Sequence, residues 1–216
     1  MGTAHKEARV DISASTPSGT EPLLGATSGM PTMGLPIVPP EADEVTIGVA
    51  VQIPEPWGTE LRQARAGFGD PLAEAIPTHI TLLPPTVVPR DRLEEISVHL
   101  ARVAMQLEGF PLRLAGTGTF RPVSPVVFVQ VTTGDMGCDR LQQEVRTGPL
   151  ERELSFPYHP HVTVAHHLDD EALDRASIEL DGFSAAFTVR GFGLFEHGDD
   201  GVWRQRRRFP FGGGRV

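Results

Sequence analysis

The chain has one cysteine in 216 residues, two tryptophans, one tyrosine and no long apolar run. A single cysteine excludes an internal disulfide and any multi-cysteine metal cluster, so the chain is compatible with a reducing compartment. Within "TGDMGCDRLQQEV", Cys138 falls at helical spacing with Leu141 and Val145, which reads as a half-buried structural thiol and not a nucleophile. No window approaches the roughly 18 apolar residues of a membrane span, and the N-terminus has no basic start followed by an apolar centre. The expected location is the cytoplasm. Positive charge is also scarce: 19 Lys and Arg against 28 Asp and Glu leave a net charge of -9, which speaks against a broad nucleic-acid footprint and makes any such contact local. The one basic cluster is "WRQRRRFPF", with Arg204, Arg206, Arg207 and Arg208, and it reads as an exposed edge strand protected by charge.

What is present is order after a polar start. Residues 1–42 mix Ser, Thr, Gly and Pro without a period and read as a disordered tail, whereas the 39% hydrophobic content of the whole chain suffices for a core. From residue 43 the pattern predicts a strand over 44–53, a helix over 57–68, a strand at "THITLL", a helix over 91–108 and a strand at "FPLRLAGTG". The order then repeats: "VVFVQVTT" as strand, a helix over 136–146, "HVTVAH" as strand, a helix over 170–177 with Asp169 as N-cap, and "FSAAFTVRGFGLF" as one strand. A last strand over 202–209 follows. Val126 trails Val45 by 81 positions and His161 trails His79 by 82, so the elements are duplicated although the halves share little identity. The expectation is an α+β protein with one domain over 43–209, lobes of about 43–120 and 121–209 open to strand exchange, and a flexible segment over 210–216. Duplicated units packed about a pseudo-twofold axis would bring matching strands to one cleft.

Two strands carry polar residues in an apolar setting: "IPTHITLLPP" and "YHPHVTVAHH". Residues two apart in a strand share a face, so His79 and Thr81 point one way while Ile80 and Leu82 point the other. His161 and Thr163 do the same against Val162 and Val164. Both motifs have a proline just upstream, Pro77 and Pro160, and both occupy equivalent strands. Two histidines facing one cleft suit a general base and a general acid, since an imidazole titrates near neutrality. Two threonine hydroxyls beside them suit hydrogen bonds to the oxygens of a phosphoryl group. The set fits attack by water on a phosphodiester, with no cofactor or metal required, and a strained cyclic diester is an attractive substrate.

Two H-x-T motifs about 80 residues apart in a chain of two similar halves resemble the two-histidine (2H) phosphoesterase superfamily, and within it the 2′-5′ RNA ligase and cyclic phosphodiesterase family. The resemblance covers roughly residues 43–209. It implies a bilobal LigT-like fold, with two mainly antiparallel sheets facing a central cleft and helices outside, and hydrolysis of 2′,3′-cyclic phosphates of RNA ends or nucleotides to 2′-phosphomonoesters. It further implies that His161 activates water, that His79 protonates the 3′ oxygen, and that Thr81 and Thr163 hold the phosphate. Two departures stand out. The first motif continues "LLPP" where an aromatic and a glycine are usual, and His166 and His167 stand where a basic residue often follows the second. These two histidines, with Phe156 and Tyr158, are candidate substrate contacts; Phe120 is a candidate by proximity alone and reads more readily as core.

Alternatives follow from the same residues. His159, His161 and His167 could offer imidazoles to zinc, yet no acidic or cysteine ligand is spaced to join them and Thr163 would go unexplained. Ligation, the reverse reaction, uses the same acid and base, and a binding module for nucleotides or RNA ends would keep the same cleft. The expected partner is an RNA end or cyclic nucleotide, with no membrane and no obligate protein partner, and the expected state is a monomer.

Overall fold

The computed structural model describes residues 40–154 and 156–212, so the tail expected over 1–42 lies outside the described residues as far as residue 39, as do residues 213–216 of the expected C-terminal segment. The elements alternate as the periodicities require: β1 (Glu44–Gln52), α1 (Trp57–Gly67), β2 (His79–Pro89), α2 (Leu93–Met105), β3 (Phe110–Thr119), β4 (Val126–Thr133), α3 (Asp135–Val145), β5 (His161–His166) and α4 (Asp170–Glu179). Three strands complete them: β6 (Ser184–Val189), β7 (Gly191–His197) and β8 (Trp203–Pro210). Asp169 caps α4, its Oδ1 accepting from the Ala172 N–H at 2.8 Å. None of the described helices is long and apolar enough to cross a membrane.

Two four-stranded antiparallel sheets form, in the orders β2-β1-β7-β8 and β5-β4-β3-β6. Each sheet begins with the first two strands of one repeat and takes its third strand from the other: β7 crosses into the first sheet and β3 into the second. The result is an α+β fold in which both histidine strands, β2 and β5, are sheet edges. The alternating residues do what their period predicts. Val45, Ile47, Val49 and Val51 of β1, Ile80 and Leu82 of β2, and Val162 and Val164 of β5 are buried in one continuous core, leaving the opposite faces for the cleft.

Two local departures have plain physical causes. The stretch read as one strand over 183–195 is two, β6 and β7, in different sheets. The switch occurs at Gly191, where a Cβ would lie 2.4 Å from the Phe209 carbonyl oxygen. Strand β2 also runs on through Pro84 and Pro85 to Pro89. Prolines lack an N–H, but on an edge strand they need not donate outward, and the register shift between Ile47 and Val49 absorbs the pair as a bulge.

Gly191→Ala is therefore expected to lower stability by roughly 1–3 kcal/mol, because backbone must move to admit the methyl group. Gly67→Ala, where nothing lies within 4 Å, should be neutral or slightly stabilising by comparison. Thermal melts of the two variants check the pair.

Candidate active site

The two edge strands are held side by side by contacts that cross between the repeats. Helix α3 packs against β2 and α1 against β5. The segment leading into β5 docks on the open edge of β2: the Tyr158 hydroxyl donates to the Thr81 carbonyl at 2.9 Å, and Arg152 donates to the Thr86 hydroxyl at 2.7 Å. These bonds satisfy outward-facing groups of an edge that would otherwise be bare. Burial keeps the Tyr158 phenol protonated, well above its ordinary pKa.

The imidazoles are positioned by a shared device. His79 Nδ1 lies 2.6 Å from the Pro77 carbonyl oxygen and His161 Nδ1 lies 2.7 Å from that of His159. A carbonyl only accepts, so each Nδ1 carries the hydrogen and each Nε2 is left with a lone pair. His79 Nε2 meets the Thr81 hydroxyl at 3.2 Å. Desolvation pushes both histidines down to about 4; Arg65 adds to the effect on His79, and charge on His159, His79 or His166 adds to it on His161. Both rings are thus neutral at pH 7 in the free protein, and a charge on His79 is felt at His161.

Around His161 stands an aromatic wall. Phe120 meets it edge-on with centroids 4.9 Å apart, and Phe128 lies 5.1 Å away. Phe128 can lie there because its strand partner is Gly118, where a Cβ would come within 2.7 Å of the ring. His159, whose ring is 6.1 Å from that of His161, shares a pocket with Thr81, His161, Phe156, Tyr158 and Pro84. Each of the two histidines also has an amide opposite it in the ladder: Gln52 faces His79 and Gln130 faces His161.

The structure thus brings His79, Thr81, His161 and Thr163 to facing edges, with Phe156 and Tyr158 on the adjoining pocket. Tyr158 is spent on the Thr81 carbonyl, and Phe120 stands at the His161 imidazole. His166 and His167 stand at and just beyond the end of β5, outside the pocket that holds Thr81 and His161. His166 is 3% exposed; the register shift between Val127 and Phe128 brings it opposite Val126, on the side of Phe128 and Thr163, and His167, at φ 53°, stacks on it at 3.9 Å beyond the strand end. His166 Nε2 has no hydrogen-bond partner among the described residues. Near it the Arg65 Nε donates to the Asp70 carboxylate at 2.7 Å, both side chains being nearly inaccessible. Phe128, Gln52 and Gln130 were not singled out for this site by sequence; only strand register, which no local pattern encodes, assembles them.

Residues 53–201 match the family model described as the 2′-5′ RNA ligase superfamily. A Bacillus cytotoxicus protein named "Putative phosphoesterase" is 29% identical over 150 residues, covering 67% of this chain and 85% of its own, and a Bacillus licheniformis protein of like name is 28% identical over 145 residues, covering 66% and 85%. Among solved structures, E. coli LigT complexed with NADP+ superposes with a TM-score of 0.57 at 21% identity, covering 78% of this chain and 99% of that one. E. coli LigT complexed with 3′-AMP gives 0.56 at 19% identity, covering 78% and 98%. At that identity the likeness is one of fold.

His166 carries a stability prediction. Burial, with His167 and Arg65 adding to it, pushes its pKa to about 4, below an unfolded value near 6.5. The unfolded chain therefore binds the proton more tightly, and stability is lost as pH falls from about 6.5 toward 4, on the order of 2 to 3 kcal/mol from this residue. His166→Leu should shrink the loss, read as a smaller difference between urea midpoints at pH 7 and pH 4.5 than in the parent.

Proposed function

The chain belongs to the 2′-5′ RNA ligase superfamily, and on that premise we propose that it is a phosphodiesterase opening 2′,3′-cyclic phosphates of RNA ends or nucleotides to 2′-phosphomonoesters, without a metal. The coarser part, phosphoester chemistry, is supported by the family match and by the names of the relatives. The NADP+ and 3′-AMP in the titles of the LigT structures favour a nucleotide ligand in this cleft too. The observation that carries the finer reading is the pair of histidines in one tautomer on facing edge strands, each beside a threonine.

In this mechanism His161 Nε2 accepts a proton from water as its oxygen attacks phosphorus. The bond from phosphorus to the 3′ oxygen breaks, and His79 Nε2–H delivers a proton to that oxygen. One water is consumed and a 2′-phosphate with a free 3′-hydroxyl is produced. The Thr81 hydroxyl, resting on His79 Nε2 in the free protein, turns to a non-bridging oxygen when phosphate arrives, and Thr163 does the same from β5. The negative phosphate raises the pKa of the neighbouring imidazoles, so the acid acquires its proton with the substrate. Residues 43–209 form the catalytic unit, acting as a monomer with no obligate protein partner. Phe156, beside Pro84 on the pocket that holds Thr81 and His161, offers a face for a nucleobase.

Turnover of 2′,3′-cyclic nucleotides should persist in EDTA, and His79→Ala or His161→Ala should each cost about 10²–10⁴-fold in kcat. Indifference of the activity to either substitution would refute the roles given. The pH dependence has a definite sign. A general acid with a free-protein pKa of about 4 is protonated tenfold less for each unit above it, so kcat/KM should rise as pH falls from 8 to 5. The kcat profile should lie at higher pH, because bound phosphate lifts the acid. A kcat/KM that rises with pH over this range would assign the proton to another group.

A further inference from the structure

Building on that reading, in which the 3′ oxygen leaves toward His79, the ribose lies on the His79 side of the cleft and the strand leading to its 5′ carbon runs out over the first sheet. Residues directly opposite in antiparallel strands project to the same face. Thr81 is opposite Ala50, Ala50 opposite Gly193, and Gly193 opposite Arg208. Arg208 therefore shares the face of His79 and Thr81, three strands away, or about 14 Å between Cα atoms at the usual strand spacing.

The floor between them is open along one line. Over Ala50 it is closed by Ile76, which packs there with Phe195 and Trp203. The open line runs beside Gln52, the residue opposite His79, into a groove bordered by Gly191, Gly193, Gln205 and Arg208. Its two glycines keep the floor bare: a Cβ on Gly193 would come within 2.8 Å of the Phe195 ring, and one on Gly191 would meet the Phe209 carbonyl.

Charge singles out one member of the arginine run. Arg204 is bound by Asp200 at 2.5 Å, Arg206 by Glu196 at 2.5 Å, and the Arg207 guanidinium lies over the Phe209 ring, 5.5 Å from its centroid. Arg208 has no acidic partner among the described residues, and it lines a second pocket with Arg190, which likewise has none there. In a chain of net charge -9, an uncompensated guanidinium on a bare floor flanked by two carboxamides is suited to one anion. Glu55 on the rim is taken up in part by the Thr59 N–H at 3.1 Å.

We propose that the groove between Gln52 and Arg208 binds the phosphodiester on the 5′ side of the cyclic end, so that the protein acts on RNA ends in preference to cyclic mononucleotides. Arg208 clasps the non-bridging oxygens, while the Gln52 and Gln205 amides face the sugar that links the two phosphates.

The test compares the full chain with Arg208→Ala, Arg208→Lys and Arg206→Ala on two substrates, a 2′,3′-cyclic mononucleotide and a short RNA with a 2′,3′-cyclic end. Affinity for the same RNA bearing a 3′-phosphate is measured alongside by fluorescence anisotropy. The expected result is that Arg208→Ala lowers kcat/KM and affinity for RNA about tenfold or more, leaves the mononucleotide within twofold, and flattens the salt dependence of RNA binding by about one charge. Arg208→Lys should recover part of the loss, and Arg206→Ala should match the parent. Equal losses on both substrates, or RNA affinity indifferent to Arg208→Ala, would overturn the subsite. Absence of turnover by the parent would instead overturn the hydrolytic reading, and the anisotropy series would still decide whether Arg208 holds RNA.

Discussion

Each imidazole of the cleft hangs on a carbonyl two residues upstream, and the chemistry depends on that bond. The Pro77 and His159 carbonyls hold Nδ1–H at 2.6 and 2.7 Å, which selects one tautomer and leaves Nε2 toward the cleft. The bend that returns the carbonyl to the ring lies where each chain enters its strand, beside Pro77 in one case and Pro160 in the other. Because β2 and β5 are edges, the opposite side of each strand is free for the partner lobe instead of another ladder.

Burial has a cost that the site exploits. With no carboxylate among the described residues at hydrogen-bond distance from either ring, desolvation dominates and both histidines rest neutral. Positive charge in the cleft is thus brought into being by the ligand, and an empty site avoids holding two like charges face to face. The charged pair buried near His79, Arg65 with Asp70, is internally compensated, so it tilts the histidine without offering a guanidinium to solvent.

Much of this was legible before any coordinates. The two H-x-T triplets, the helices with their 3.6-residue stripes and the Asp169 cap are local signals, and local physics places them. Strict alternation in "HVTVAH" would put His166 with Val162 and Val164, away from His161, but the register shift between Val127 and Phe128 returns it to the side of Thr163, opposite Val126. What was hidden is non-local. That β3 and β7 change sheets, that residues 184–197 form two strands, that prolines run through an edge, and that Phe128, Gln52 and Gln130 border the histidines all depend on pairings between distant segments. The arginine run shows both sides: its place on an edge strand could be read, whereas the neutralisation of Arg204 and Arg206 and the freedom of Arg208 could not.

The exchange of the third strands also governs when the protein becomes whole. Strand β1 pairs Ile47 to Ala50 with Glu196 to Gly193, nearly 150 residues later. On a growing chain β1 and β2 can form a hairpin-like pair early, but the inner edge of β1 stays bare until β7 has been made, while β3 must wait for β4. Such distant pairing makes folding slow and leaves an apolar edge exposed throughout synthesis. The first histidine strand is consequently complete in sequence long before it is anchored in a finished sheet, and the cleft comes into existence only after β7 has been made.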